Sequence, residues 1–126
     1  MSGARIVPGA GRPETWTAEQ CHIAEWWNDP GDEALSVARA RVEKGVTTRL
    51  HRLHGISERY IILEGRGRVR VGSQTIDTVR PGDVVYIPPL AAQQITNIGS
   101  SDLVFLAVCT PRFTPDAYED IDVDEG

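Results

Sequence analysis

Residues 80–89 read RPGDVVYIPP. Pro81-Gly82 is a turn signal, the run DVVYI over 83–87 is a short block of strand formers, and Pro88-Pro89 stops it. Outward from this stretch the same grammar repeats. The segments CHIAEWW (21–27), ALSVARARV (34–42), TTRLHRL (47–53), ERYIILEG (58–65), GRVRVG (67–72), QTIDTV (74–79), QQITNI (93–98) and DLVFLAVCT (102–110) are separated by turn formers, among them Gly45, Gly65, Gly72 and Gly99. Several of them alternate with period two, and none carries a long 3.6-residue period. The spacing predicts an all-β sandwich or barrel with eight or so short strands.

A barrel of that size has room for side chains or one small ligand, so the question is which polar residues point inward. Over 47–53 one parity holds Thr47, Arg49, His51 and Leu53. Over 58–63 one face holds Glu58, Tyr60 and Ile62, and the other Arg59, Ile61 and Leu63. His51 and Glu58 can therefore converge from neighbouring strands. His54 joins them only if a bulge shifts the phase.

These residues also carry a family resemblance. Gly45, VTTRL, His51, Glu58 and, after RYIILE, Gly65 match the first signature of the cupin superfamily, and Gly82, DVVYI, Pro88 and Asn97 match the second. The chain thus resembles a small single-domain cupin, which implies a jelly-roll barrel. The signatures cover 45–97 and depart from the family pattern at three places. Leu53 stands where the second histidine falls, with His54 one place later. Leu90 stands at a usual glycine, and Gln93 at the second-signature histidine. The resemblance implies a divalent metal ion (Fe, Mn, Ni, Zn or Cu) held by His51, His54 and Glu58, with Gln93 as a weak fourth ligand or as a hydrogen-bond donor to substrate. Two histidines and one carboxylate leave open positions for substrate or oxygen.

Other polar residues have two readings each. Arg49 can clamp a substrate carboxylate or pair with Glu58. Tyr60 can line the pocket as a donor or fill the core. Glu58 can instead pair with Arg49 or Arg59. Cys109 reads as a small buried hydrophobe before it reads as a nucleophile. Cys21, His22 and Glu25 lie near Trp26 and Trp27, but regular alternation separates His22 from Cys21 and Glu25. GRGRVRVG and PGAGRP lack the ending and the following helix of a phosphate loop. Arg66, Arg68 and Arg70 read as a solvated or subunit-facing strand face.

Composition narrows the class further. The chain has 126 residues, 13 Lys+Arg and 18 Asp+Glu, for a formal charge of -5. Six of the acids (Asp116, Glu119, Asp120, Asp122, Asp124 and Glu125) fall in 113–126, where there is no base. The expected organisation is an arm (1–20), a cupin domain (21–112) and a solvated acidic tail (113–126). The near-neutral body argues against nucleic acid as a partner. No apolar run is long enough to span a bilayer and no signal-peptide core is present, so a cytoplasmic chain is expected. Two cysteines are too few for a disulfide framework. Lys44 is the only lysine, which leaves Schiff-base chemistry one poor candidate.

The expected function is a small metal-dependent cupin enzyme acting on a small oxygen-rich molecule. Dioxygenase-like chemistry is slightly favoured; decarboxylase, isomerase or lyase chemistry at the same site is the alternative. A metal-free cupin that binds a sugar or other small molecule is the non-enzymatic alternative. A homodimer is expected on family resemblance.

Overall fold

The computed structural model describes residues 3–9 and 11–123. Its strands are β1 (Thr15–Trp16), β2 (His22–Trp27), β3 (Ser36–Val42), β4 (His51–Leu53), β5 (Ser57–Glu64) and β6 (Gly67–Val71). They continue with β7 (Gln74–Val79), β8 (Val84–Ile87), β9 (Gln93–Asn97), β10 (Leu103–Thr110) and β11 (Tyr118–Asp120). One short 3-10 turn, Pro115–Ala117, precedes β11. No helix among the described residues is long and apolar enough to cross a membrane.

The strands form two antiparallel sheets. The six-stranded sheet runs β1-β2-β3-β10-β5-β8, and the five-stranded sheet runs β11-β4-β9-β6-β7. Consecutive strands often land in opposite sheets, which is the jelly-roll solution to covering both apolar faces. Between the sheets Val42, Ile62, Val69, Ile87, Ile95 and Leu103 form the core.

Period-two reading holds where backbone pairing is regular. In β5 the residues Glu58, Tyr60 and Ile62 are buried, while Arg59 and Ile61 are only partly so. In β3 the inward set is Ser36, Ala40 and Val42, with Ala38 also on the interior wall; Arg39 and Arg41 reach outward to Glu14. Those inward residues are small. Ala38 lies opposite Ala107 of β10. A wall of serine and alanines leaves unfilled space beside it, and that space becomes the cavity described below.

Two turn positions show why particular residues stand where they do. Gly65 has φ +84, and a Cβ there would sit 2.7 Å from the Asp102 carbonyl oxygen. Only glycine meets both conditions. Leu90 has φ 67, also left-handed, at the place where the signature has a glycine. Here a leucine holds a conformation costing roughly 1–2 kcal/mol for an L side chain.

The chain ends are woven into the sheets. β1 pairs with β2, through Thr15↔Ile23 and Trp16↔His22. β11 pairs with β4 in the register Tyr118↔Leu53, Glu119↔Arg52 and Asp120↔His51. The acidic segment is thus a docked strand through Asp120, not a solvated end, and Asp122 accepts from the Leu50 amide at 2.8 Å. The reason is charge pairing: Arg49 meets Asp120, and Arg52 meets Glu119. Asp124 and Glu125 lie outside the described residues. Arg66, Arg68 and Arg70 are exposed, in keeping with a solvated strand face.

Candidate functional site

The cavity lies between the sheets and holds about 640 Å³, its open mouth included. Its apolar walls include Ile23, Leu53, Ile95, Phe105 and Phe113. Its polar groups are Glu19, Glu25, Ser36, Thr48, His51, Glu58 and Tyr60, with the thiols of Cys21 and Cys109. A largely apolar hollow with a few polar groups is the usual form of a small-molecule site.

His51 is buried at 4% exposure. Its Nδ1 lies 2.8 Å from the Arg49 carbonyl oxygen. A carbonyl only accepts, so Nδ1 carries a hydrogen, and in the neutral ring Nε2 holds the lone pair. The ring stacks on Tyr118 at 4.9 Å between centroids and 25° between planes. β11 therefore positions the imidazole as well as sealing the sheet edge.

Glu58 is 8% exposed, and its Oε1 has no hydrogen-bond partner. Burial, with the Glu19 carboxyl next in effect, pushes its pKa up to about 8 against bonds from Gln93 and Cys109 that lower it. An uncompensated buried carboxylate is costly, so the group keeps its proton near neutral pH. Tyr60 also faces the cavity, and its phenol donates to Gln93 Oε1. Burial raises the Tyr60 phenol well above its ordinary pKa.

The structure does not bring the whole expected set together. His51 and Glu58 meet at the cavity. His54 does not: its ring is exposed and its Nε2 lies 2.7 Å from Glu119. The phase break that would have turned it inward falls earlier. Thr48 and His51 are both buried with two residues between them, and the local backbone from 48 to 50 is not strand. That same break sends Arg49 outward, although it shares parity with His51. Its guanidinium pairs with Asp120 at 3.0 and 3.2 Å, and it is not among the cavity-lining residues. Gln93 is 1% exposed and sits opposite His51 across β4 and β9, but behind the cavity wall.

The metal centre implied by the resemblance requires three or four donors converging on one point. Among the described residues no group of three or more His, Cys, Asp or Glu is placed to hold an ion. Gln93 Oε1 already accepts from Tyr60. The donor set does not fit the group, and no step below is routed through it.

Four residues outside the implied set complete the site. Glu19 is half-buried beside Cys21, and burial is the largest effect raising its carboxyl pKa, while His51 opposes it. Glu25 lies exposed at the mouth, and burial of its carboxyl also raises it. Cys21 and Cys109 are buried free thiols; burial first, then Glu19, holds Cys21 at about 12, and burial also raises Cys109. Neither is a thiolate at neutral pH, so neither is an activated nucleophile. His22 faces away from the cavity, toward Glu14 and Glu43. No spacing in the sequence links Glu19 to His51. Its place follows from Gln20, a non-glycine at φ 72, and from the Arg49 amide donating to the Glu19 carbonyl at 2.9 Å.

The fold and the buried signature residues define a class, and comparison with known proteins agrees. The family described as the cupin domain matches residues 38–109, and the chain belongs to the cupin family. An uncharacterized protein of Methanocaldococcus jannaschii is 38% identical over 88 residues, covering 70% of this chain and 67% of the relative. Two solved structures share the fold. A protein of Thermotoga maritima, described as a predicted oxalate decarboxylase, superposes with TM-score 0.76 at 23% identity over 85% of this chain and 99% of that one. The nucleoside dehydratase Pac13 of Streptomyces superposes with TM-score 0.80 at 13% identity over 97% and 94%.

Proposed function

We propose that the chain is a small-molecule enzyme that moves protons with its own side chains, in the isomerase or lyase class. One observation carries this reading. An imidazole with Nδ1 held by a backbone carbonyl and a buried carboxyl with an unpartnered Oε1 face one cavity. A ring nitrogen able to accept and a protonated carboxyl able to donate, facing one cavity, can serve as an acid–base pair. His51 Nε2 is the base and takes a proton from carbon. Glu58 is the acid and gives its proton to a carbonyl oxygen, forming an enediol, or to a departing hydroxyl, which leaves as water. Tyr60, held by Gln93, orients the substrate. The dioxygenase-like chemistry favoured by the sequence loses ground here, because His54 is not placed to complete its ligand set.

The test is proton exchange with solvent. The purified chain is incubated in D2O with glyceraldehyde, glucose and glucosamine, and deuterium at the carbon beside the carbonyl is followed by proton NMR. The expected result is exchange that falls about 10²-fold or more in His51→Ala and in Glu58→Gln. Absence of exchange with all three compounds, or equal exchange in the variants, overturns the reading. Binding without exchange favours the non-enzymatic alternative, which the largely apolar lining also suits.

A further inference from the structure

The charge of the lining is one-sided. Glu58 is deep in the cavity, Glu19 is half-buried and Glu25 stands at the mouth. Among the described residues no arginine or lysine lines the cavity, and His51 is its one basic side chain. Every cation on the neighbouring strands is engaged elsewhere: Arg39 and Arg41 with Glu14, Arg49 with Asp120, Arg52 with Glu119, and Arg59 with Thr110 and the Tyr86 ring. The buried Oε1 of Glu58 is an acceptor with no donor facing it.

We propose that this cavity takes a small organic cation, an amine-bearing molecule with an apolar or hydroxylated body, and excludes carboxylates and phosphates. The inference names the substrate class of the site assigned above and rests on that reading for its chemistry, but not for its binding. An ammonium group donates hydrogen bonds that Glu58 Oε1 and Glu19 can accept, and its charge beside the Glu19 carboxyl favours ionisation of that group on binding. The rings of Tyr60, Phe105 and Phe113 line the same cavity, and aromatic rings attract organic cations. An anion meets the opposite situation: no cationic fork receives it, and it leaves water for a largely apolar space lined by acidic groups, which is strongly unfavourable. The likeness to a structure described as a predicted oxalate decarboxylase therefore stops at the fold, since oxalate is a dianion.

Three probes of nearly equal shape isolate the charge: n-butylammonium, n-butanol and n-butyrate. Each is titrated into the chain at neutral pH, and the Cys21 and Glu58 amide signals are followed by NMR. Butylammonium is expected to bind about tenfold tighter than butanol, with no saturable binding of butyrate. Glu19→Gln, alone and combined with Glu58→Gln, is expected to remove the advantage of the ammonium and leave butanol affinity unchanged, which also shows that the cavity has survived the substitution. Butyrate binding as tightly as butylammonium, no binding by any probe, or equal losses for all probes in the variants overturns the inference. Because no turnover is read, this outcome is independent of the exchange experiment. Exchange abolished in His51→Ala together with tight butyrate binding would sink the charge class and leave the acid–base pair standing.

Discussion

The Tyr60 phenol donates to the amide oxygen of Gln93, and this bond ties β5 of one sheet to β9 of the other through the interior. Both residues are buried, at 3% and 1% exposure. The bond explains how Gln93 serves at a position where the signature has histidine: the amide organises the site from behind the wall.

Tyr60→Phe should therefore cost stability as well as alter the site. Removing the hydroxyl leaves a buried amide oxygen without its donor, a loss of about 1–3 kcal/mol. Urea denaturation measures it, and a midpoint unchanged from the wild type would show that the bond contributes nothing.

Glu58 makes stability depend on pH in a defined direction. Its folded pKa is raised from 4.5 to about 8. Below pH 4.5 both states hold the proton. Between 4.5 and 8 the unfolded chain releases it and the folded chain keeps it. Stability contributed by this group thus falls as pH rises through that window. Chemical denaturation at a series of pH values should show the fall in the wild type and a flatter profile in Glu58→Gln.

The two left-handed turns predict opposite outcomes. Gly65→Ala forces a Cβ against the Asp102 carbonyl and should destabilise by about 1–3 kcal/mol. Leu90→Gly relieves strain at a side chain that is 52% exposed and should stabilise by up to about 1 kcal/mol, the flexibility gained by the unfolded chain offsetting part of the relief. Thermal and urea midpoints of the two variants should move in opposite directions.

The tail contact weakens in acid. Glu119 is held down to about 2 from 4.5, first by its bond with Arg52 and then by His54. Its contribution is present above pH 4.5 and is lost as pH falls through about 2. Amide exchange at Tyr118 and Glu119 should accelerate in that range before the β5 amides do. Simultaneous loss of protection would show that β11 is not a separately released element.

Much of this molecule can be read from its sequence where alternation is local. The inward set Glu58, Tyr60 and Ile62 follows from period two alone, and RPGDVVYIPP marks β8 with its turn and its stop. Departures come from interactions that no local pattern encodes. The break between Thr48 and His51 lies where the backbone leaves strand geometry: the Arg49 amide bonds to Glu19, and Leu50 to Asp122. It separates Arg49 from His51 and leaves His54 outside. Glu19 reaches the cavity through a tight turn far away in sequence. The acidity of the tail is plain in composition, but its docking depends on Arg49, Arg52 and His54 being gathered opposite it.

The docking of β11 also governs how copies of this chain meet one another. Without it, the five-stranded sheet would end on β4, a three-residue strand with bare amides and carbonyls open to any extended peptide. Open edges of that kind invite sheet-to-sheet self-association. β11 takes up those groups, with Glu119 and Asp120 paired to Arg52 and Arg49. The strand that steadies His51 thus also moves the border of the sheet off β4 and onto a segment tied down by ion pairs.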